Sequence, residues 1–578
     1  MRRYKTLDGH YVYKIKKDNV DYFLGDRENY QKSIDELIKN VDGLRFDSII
    51  IIFGLDTGEY LKDLYKLMCD KNKVVIFEPN REIFFKNKVI SNEKVALILF
   101  EEDKIKNQLY SFINSSSFNN LFVYAFGNYR EIYEKEYDFF IETLDFTFHT
   151  AASSITISNR FREVFIKNLI CNLNIINQST AINCFQEKNK NVPAFIVSAG
   201  PSLDKNIGDM VKNKELVEKS IVVAGSRTLK ALLENGIKPD LLVSIDPIDD
   251  NYEMMKEYLD CDTPLVFYEY SNRKILNEYK GEKIFLSTLL SKILEEFNTL
   301  KGTYLGGSVA HTCVDISRTL GCNPIILVGQ DLAYTYDKHH SKSATFKIDD
   351  KVNHMVAQTI VKDVKGNDIK TTATLNQFRK KLEEYIEGDI NVNGTKYINA
   401  SYGADIMGAN HLELNEVFKL NIFNNAKESF DASRDINIDS ESVVNSILEY
   451  IAFSICKAEY GEKFCIDLSQ CDEDKSLVDI DENDEELQKF LEVIEIVNNF
   501  ESSRENTFFG GYFNKFMFDI KQLEFNMYAV DYDRLTSNLK YQSQCFLLYF
   551  KEMKKMLKEV QQLIIETVTK SNESHNIK

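Results

Sequence analysis

Long apolar runs are absent from this sequence of 578 residues. The strongest run, IIIIF at Ile49–Phe53, is far shorter than the roughly 20 residues that a membrane-spanning helix requires, and it is typical of a buried strand. The amino-terminal stretch MRRYKTLDGHYVYKIKKDNV contains basic residues but no apolar core of signal-peptide length. We therefore expect no membrane insertion, an amino terminus that stays in the mature chain, and a cytoplasmic location.

Proline and paired cysteine motifs are also scarce. With only 7 prolines, 44% hydrophobic residues and 28% charged residues, the composition is typical of a soluble globular protein and not of a disordered or fibrous one. The 10 cysteines include no CxxC pair and no Cys/His cluster with metal-ligand spacing. We interpret them as reduced thiols and expect neither disulfides nor a zinc site.

Positive charge is in deficit, because the formal net charge is −18 at pH 7. Capture of a phosphate backbone depends on a basic surface that releases counterions, so DNA and RNA are not expected partners. The deficit does not exclude a small anionic ligand, since a pocket for such a ligand needs only local hydrogen-bond donors.

The two familiar glycine-rich phosphate motifs are missing as well. The sequence has neither the dinucleotide-binding GxGxxG nor the GxxxxGK[ST] loop. Instead, the stretch FIVSAGPSLDKNI at residues 195–207 joins an apolar run to a predicted helix through one glycine, a proline and a serine. What this turn holds depends on the segments that surround it in the fold.

Three regions of the chain differ in pattern. We predict a degenerate Rossmann-like α/β domain at residues 1–165, a central Rossmann-like domain at 166–412 and a helical domain at 413–578. The first region contains the strand IIIIF, the turn GLDTG, a helical stretch and the strand VVIFEPN, which together predict one βαβ unit. Its strand-tip acid, Glu78, either bonds a ribose, as in nucleotide-binding domains, or is merely solvated. The interrupted glycine turn favours the second interpretation and a docking role for this domain.

The central region alternates short strands with helices, which favours a mostly parallel sheet covered on both faces. Strands are predicted at residues 194–197, 221–224, 241–245, 265–268, 284–286 and 325–328. Ser226 and Ser308 are the predicted N-caps of two helices, which end at Gly236 and Gly321. In the third region, apolar residues recur at steps of four and three and predict a helix-packing seam. The residues of this seam are Phe546, Phe550, Met553, Leu557, Val560 and Ile564.

Polar and glycine-rich segments follow several of the central strands. Ligands of an open parallel sheet bind outside the carboxyl ends of its strands, where glycines permit close approach and helix starts present unpaired N–H groups. Taken alone, a Gly-Pro-Ser turn more often only connects a strand to a helix, but the convergence of five polar strand tips favours an anion-binding crevice. Its candidate residues are Gly200, Pro201, Ser202, Gly225, Ser226, Asp246, Gly307, Ser308, Gly329, Gln330, Asp331, Tyr334 and Tyr336.

Five segments occur in order between about residues 195 and 410: SAGPSLDKN, KPDLLVSIDP, GGSVAHTCVDISRTLGCNPIILVGQDLAYT, KTTATLNQF and INASYGADIMGA. Together they resemble the motility-associated factor (Maf) flagellin glycosyltransferases. The same region is similar to the bacterial CMP-sialic-acid sialyltransferases, through the GPSL turn, a small-residue helix start and a strand that ends in GxD.

The resemblance implies a protein O-glycosyltransferase that moves a nonulosonic acid, such as pseudaminic or legionaminic acid, from its CMP-activated form to Ser or Thr hydroxyls of flagellin. Flagellin and a CMP-nonulosonic acid are thus the expected partners, and no further cofactor is firmly implied. Backbone donors at residues 200–202 and 307–308 would meet the charge of the departing phosphate, aided by Tyr334 and Tyr336. Gly225, Ser226 and Asp246 would face the ribose and base.

The general base is not determined by this resemblance. The sialyltransferases use a lid histidine where this sequence has KTTATLNQF, which contains none. The remaining candidates are Asp331, ranked first, then Asp246 and the histidines of the 337–375 insertion, His339, His340 and His354. Asp331 is almost equally well explained as a structural acid that accepts loop N–H bonds. His311, in the first turn of the Ser308 helix, is expected to be structural.

Two other functions stay open at this point. The central domain is also similar to archaeal-type hydroxymethylpterin diphosphokinases, which would make ATP and a pterin the ligands. Asp246, Asp249 and Asp250 would then be the best magnesium-binding cluster. A non-enzymatic chaperone could instead bind flagellin helices through the C-terminal region. The identity of the sugar, the acceptor residues, metal dependence and homo-oligomer formation are not determined by the sequence.

Overall fold

Two compact units make up the described part of the chain in the computed structural model. One contains Met1–Arg162 and Tyr450–Val560, and the other contains Glu163–Glu449 and Gln561–Lys578. The predicted α/β class is confirmed, with an N-terminal parallel sheet, a central parallel sheet and C-terminal helices. The domain boundaries at residues 165 and 412 stay predictions. The structure describes residues 1–69, 71–113, 120–293, 302–346, 358–431, 436–471, 475–477, 481–527 and 535–576.

The first unit contains two sheets. An antiparallel sheet comprises β1 (Arg2–Lys5), β2 (Tyr11–Lys17) and β3 (Val20–Phe23). A parallel sheet has the order β6-β5-β4-β7 and comprises β4 (Ile49–Phe53), β5 (Lys73–Glu78), β6 (Val95–Leu99) and β7 (Leu121–Ala125). The helices between these strands are α1 (Tyr30–Asn40), α2 (Leu61–Leu64), α3 (Arg81–Asn87) and α4 (Ile105–Phe112), and α5 (Tyr129–Ile132) follows β7. The predicted βαβ unit is confirmed, because the fully buried strand β4 leads through α2 to its parallel neighbour β5.

Glu78, at the tip of β5, is completely buried. Its carboxylate accepts hydrogen bonds from the backbone N–H of Leu55 at 2.8 Å, the backbone N–H of Asn80 at 2.7 Å and the hydroxyl of Tyr129 at 2.7 Å. A Cβ atom on Gly54 would lie 2.3 Å from the Tyr129 ring, so this ring fills the space above the turn. Both interpretations of Glu78 are therefore wrong: the acid is neither solvated nor open to a ribose, since protein groups occupy its oxygens.

The second unit is built on a nine-stranded sheet with the order β18-β17-β14-β9-β10-β11-β12-β13-β8. Every neighbouring pair in this sheet is parallel. Its first strands are β8 (Thr180–Ala181), β9 (Ala194–Val197), β10 (Ile221–Gly225), β11 (Leu241–Val243), β12 (Leu265–Phe267) and β13 (Lys283–Phe285). The others are β14 (Ile325–Val328), β17 (Tyr397–Asn399) and β18 (Ala409–His411), while β15 (Gln358–Lys362) and β16 (Asp368–Thr372) form a separate antiparallel pair. All six predicted central strands are confirmed.

Helices cover both faces of this sheet, as predicted. Alternate residues of β10 divide between two cores: Val223 belongs to one core with Val314 of α13, and Val222 belongs to the other with Leu232 of α9. The period of two along a strand explains this division. The helices of this unit are α7 (Leu203–Lys212), α8 (Lys214–Glu218), α9 (Ser226–Glu234), α10 (Asp249–Met255), α11 (Arg273–Glu278), α12 (Leu290–Ile293), α13 (Val309–Thr319), α14 (Ala373–Asn393) and α15 (Leu414–Val417).

Of the two predicted N-cap residues, one is confirmed and the other is displaced by one position. Ser308 occupies the N-cap of α13 with extended backbone, as expected, although its side chain makes no capping hydrogen bond. Ser226 is instead the first residue of α9, and Gly225 is the N-cap. This shift by one residue arises because β10 runs directly into α9, so that Gly225, the last residue of the strand, is also the N-cap of the helix. The predicted ends of both helices are confirmed, because Gly236 and Gly321 have left-handed φ values of 69° and 83°.

The C-terminal region is helical, as predicted. Its helices are α16 (Ser440–Leu468), α17 (Glu485–Glu501), α18 (Gly510–Met527) and α19 (Leu539–Asn576), and with α6 (Glu134–Ile176) they complete the fold. The predicted seam lies on α19, where Phe550, Met553, Leu557 and Val560 are fully buried. None of the described helices combines the length and apolar character that crossing a membrane would require.

Candidate functional site

The chain order of the central sheet reverses at β9. Strands β10 to β13 follow β9 on one side, whereas β14, β17 and β18 lie on its other side. The loops after β9 and β14 therefore leave the sheet in opposite directions and open a crevice between them. Ligands of open α/β sheets bind at such a switch point, outside the carboxyl ends of the strands.

A cavity of about 320 Å³ lies at this position. Its walls come from the loops after β9, β10, β11 and β14 and from the start of α13, so the strand tips do converge on one edge. Ten of the predicted site residues line it: Gly200, Gly225, Ser226, Asp246, Ser308, Gly329, Gln330, Asp331, His339 and His340. Their binding and catalytic roles stay predictions.

Five other predicted residues are not among the described residues that line the cavity: Pro201, Ser202, Gly307, Tyr334 and Tyr336. Pro201 and Ser202 are buried in the turn itself. Tyr336 is 63% exposed and has a left-handed φ of 56°. Its phenol, like that of Tyr334, would have to move to reach a ligand in the cavity.

The Gly-Pro-Ser turn is held by Asp331. One carboxylate oxygen of Asp331 accepts a hydrogen bond from the backbone N–H of Ser202 at 3.0 Å, and the other accepts one from the Ser202 hydroxyl. That hydroxyl in turn accepts the backbone N–H of Tyr402 at 2.8 Å. Ser202 thus uses its side chain to fix the turn.

Asp331 itself is 2% exposed, and burial raises the pKa of its carboxyl group above the usual range. A raised pKa suits a general base. Both oxygens, however, already accept hydrogen bonds from Ser202, so the structural role that the sequence left open accounts for the observed contacts. Its backbone is equally fixed, since its carbonyl accepts the N–H of Ala404 at 2.8 Å.

Gln330 forms a second link across the crevice. Its side-chain oxygen accepts a hydrogen bond from the hydroxyl of Ser198, which follows β9. Its backbone N–H donates to the hydroxyl of Ser401 at 2.7 Å. Gln330 therefore joins the segments after β9, β14 and β17 directly beneath the cavity.

The remaining base candidates differ in position. Asp246 and His340 line the cavity, and so does His339, whose ring centroid lies 4.2 Å from that of His340. His354 lies outside the described residues. His311 does not line the cavity, and its Nε2 lies 2.9 Å from the carbonyl oxygen of Phe378. Burial lowers the pKa of His311 to about 4, which agrees with the structural role expected for it.

Sequence reasoning assigned no role to several residues that line the cavity. Arg227 stands in the first turn of α9, Asn251 lies in α10, and Leu375 and Phe378 are contributed by α14. The segment KTTATLNQF thus supplies an apolar wall instead of a base. Arg227 could have been found from sequence, because it directly follows the strand-tip residues Gly225 and Ser226.

The proposed magnesium cluster does not assemble around the cavity. Asp246 lines it, but Asp249 pairs with Lys274 at 2.7 Å and accepts a hydrogen bond from Asn272 at 3.0 Å. Across the described ranges, no group of three or more His, Cys, Asp or Glu side chains is arranged to hold a metal ion.

Comparison with known proteins adds to this geometry. A family model described as 6-hydroxymethylpterin diphosphokinase MptE-like matches residues 167–337. A solved structure of a MAf glycosyltransferase from Magnetospirillum magneticum AMB-1 matches with a TM-score of 0.60 at 13% identity, covering 99% of this chain and 92% of that chain. This chain has the fold of a Maf glycosyltransferase. Comparison with curated proteins gave no match.

The fold expected from the resemblance in sequence is thereby confirmed along nearly the whole chain. The match includes the flanking regions, to which the five sequence segments do not extend. Within it, the MptE-like model covers the strands from β8 to β14, which carry the loops of the cavity.

Proposed function

We propose that this protein is a glycosyltransferase that transfers a nonulosonic acid, of the pseudaminic or legionaminic acid type, from a CMP-sugar to Ser or Thr hydroxyls of flagellin. The observation that carries the proposal is the cavity at the switch point of the central sheet, in a chain that shares the fold of a Maf glycosyltransferase. On this proposal the transfer takes place in the cytoplasm, before flagellin is exported.

The walls of the cavity suit a nucleotide-activated sugar. Two helix starts, at Ser226 of α9 and Ser308 of α13, contribute to its lining. The unpaired N–H groups and positive dipole end of a helix start favour an anion. Phe378 and Leu375 add apolar surface on another side, where a base or a sugar ring can pack.

The reaction requires only a nucleophile, a base and a stabilised leaving group. The bond between the anomeric carbon and the phosphate oxygen breaks, its electron pair stays on CMP, and the acceptor oxygen bonds to the anomeric carbon. The hydroxyl proton passes to a general base, for which Asp246, His339 and His340 are candidates that line the cavity and are less buried than Asp331. Donors aimed at the departing phosphate contribute most in the transition state.

The direct experiment incubates the purified chain with flagellin and either CMP-pseudaminic or CMP-legionaminic acid. Intact-mass spectra of flagellin should show steps of one sugar residue, with release of an equal amount of CMP. Ser308→Ala should mainly raise the apparent KM for the donor, whereas the same change at the exposed Ser442 should leave it unchanged. Stoichiometric binding of flagellin without release of CMP would instead select the chaperone function.

A second candidate function follows from the MptE-like match at residues 167–337. A diphosphokinase would transfer pyrophosphate from ATP to a pterin and would bind magnesium through carboxylates. The pairing of Asp249 with Lys274 makes this function the weaker one. Magnesium-dependent formation of AMP in the presence of hydroxymethylpterin would nevertheless establish it and overturn the transferase.

A further inference from the structure

Arg227 is the only arginine or lysine among the described residues that line the cavity. It is the second residue of α9, directly after Ser226, and its side chain is partly buried. A guanidinium group stays charged at every physiological pH and presents several N–H donors in a plane that matches phosphate oxygens. We propose that Arg227 binds the phosphate group of the cytidylate donor, an inference that rests on the proposed function.

The backbone of Arg227 is held in place by its neighbours. The hydroxyl of Thr228, the next residue, donates to the carbonyl oxygens of Gly225 at 3.0 Å and Val197 at 3.2 Å. This fixes the first turn of α9 to the ends of β9 and β10. The guanidinium therefore starts from a rigid point at the edge of the cavity, which keeps the loss of entropy on binding small.

The side chain of Arg227 is also braced on the side of the 3₁₀ turn Lys342–Ala344. Its Nη1 donates to the carbonyl oxygen of Ala344 at 3.4 Å, and its guanidinium carbon lies 5.7 Å from the centroid of the Phe346 ring. The turn is itself anchored, because the backbone N–H of Ser341 donates to the carbonyl of Ala199 beside the Gly-Pro-Ser turn. These contacts hold the guanidinium group beside the cavity that Arg227 lines.

Phosphate fits this position better than a carboxylate. The N–H groups at the start of α9 and the guanidinium of Arg227 belong to the same helix turn, so one anion with several oxygens can accept from both. CMP carries such a group, and its charge increases when the sugar leaves. Arg227 would therefore strengthen binding of donor and product and stabilise the developing charge.

The test compares the affinities of CMP and cytidine, which differ only in the phosphate, by calorimetry on the full-length chain. Arg227→Ala should weaken CMP binding by about 10- to 100-fold, as expected for loss of a charge-assisted hydrogen bond, and leave cytidine binding unchanged. Arg227→Lys keeps the charge but not the planar pair of donors, so its affinity for CMP should lie between those of the wild type and Arg227→Ala. Lys230→Ala removes a cation from the same helix outside the cavity lining and serves as control.

The possible outcomes distinguish phosphate binding by Arg227 from other roles of this residue, and they test the identity of the donor separately. An equal loss for CMP and cytidine would mean that Arg227 only supports the fold, and the inference would be overturned. A loss seen with the CMP-sugar but not with CMP would assign Arg227 to the sugar carboxylate and overturn the phosphate assignment. Binding of ATP but not CMP by the wild-type chain, weakened in Arg227→Ala, would support the phosphate site and overturn the proposed donor.

Discussion

Gly200 and Asp331 lie so close together that a Cβ atom on Gly200 would stand 2.2 Å from Oδ2 of Asp331. The same Cβ would lie 2.5 Å from the carbonyl oxygen of Gly329. The turn after β9 and the turn after β14 thus touch through a position that admits no side chain. This contact joins the two loops that leave the sheet on opposite sides of the switch point.

Gly200→Ala should therefore lower the free energy of unfolding by about 1–3 kcal/mol, because the new methyl group overpacks this contact. Gly208→Ala is the matched control: this glycine lies inside α7 with nothing within 4 Å of an added Cβ. The control should be stabilised by about 0.5–1 kcal/mol, the usual helix cost of glycine. Denaturant unfolding measures both, and a Gly200→Ala chain as stable as wild type would contradict the contact.

Asp331→Asn tests whether this residue holds the turn or acts as the base. Asparagine offers one acceptor oxygen where Asp331 offers two to Ser202. We expect a loss of about 1–3 kcal/mol in the free energy of unfolding and weaker CMP binding, since the turn loosens. Asp337→Asn, the same change at an exposed residue, should alter neither.

Transfer activity, stability and CMP affinity, measured together on the Asp331→Asn variant, separate the two roles of Asp331. Loss of transfer with unchanged stability and unchanged CMP affinity would identify the carboxylate as the general base. A variant with normal transfer and normal stability would contradict both roles.

The position of the site could be predicted from the sequence because parallel strands bring their carboxyl ends to one edge. Gly200 and Gly329 follow two such strands, Gly225 ends a third, and all three glycines line the cavity. The direction of individual side chains could not be predicted in this way. Ser202 is not among the described residues that line the cavity, and its hydroxyl is bound by Asp331 and by the N–H of Tyr402, which lies 200 residues later.

The burial of Glu78 likewise could not be predicted from the local sequence pattern. Its surroundings depend on Tyr129, 51 residues later in the chain, whose hydroxyl and ring close the turn after β4. A strand-tip acid in a short βαβ unit looks the same in sequence whether it faces solvent, a ribose or a tyrosine. Only the tertiary contacts distinguish these cases.

His311 should make stability fall in mild acid. Burial lowers its folded pKa to about 4 from 6.5, so the unfolded chain binds a proton that the folded chain does not. Stability from this group is complete above pH 6.5 and is lost as the pH falls towards 4, by about 3 kcal/mol in total. His311→Gln should remove this part of the pH dependence, measured by denaturant unfolding between pH 4 and 7.

A suitable control for this change is His149→Gln, because the side chain of His149 is 50% exposed. It should leave the slope of stability against pH as it is in the wild type. An unaltered slope in His311→Gln as well would show that other groups cause the loss in acid.

Glu78 and Asp56 should give the N-terminal sheet the opposite pH dependence. Both carboxyls are fully buried, and burial raises the pKa of Glu78 to about 8 and that of Asp56 to about 7. The folded state then holds protons that the unfolded state has released. Stability from these groups is therefore greatest below about pH 4.5 and falls as the pH rises towards 8. Glu78→Gln cannot ionise, so it should lose less stability than the wild type between pH 5 and 8.

Hydrogen exchange of the β4 and β5 amides reports this effect locally, where unfolding of the whole chain would mix it with other groups. The amides of Ile49–Phe53 and Lys73–Glu78 should lose protection with rising pH, beyond the intrinsic increase of exchange, in the wild type but much less in Glu78→Gln. Glu82→Gln, a change at a side chain that is 72% exposed, should behave like the wild type. Equal pH dependence in all three chains would mean that Glu78 is ionised in the folded protein, stabilised by Tyr129 and the two backbone N–H groups.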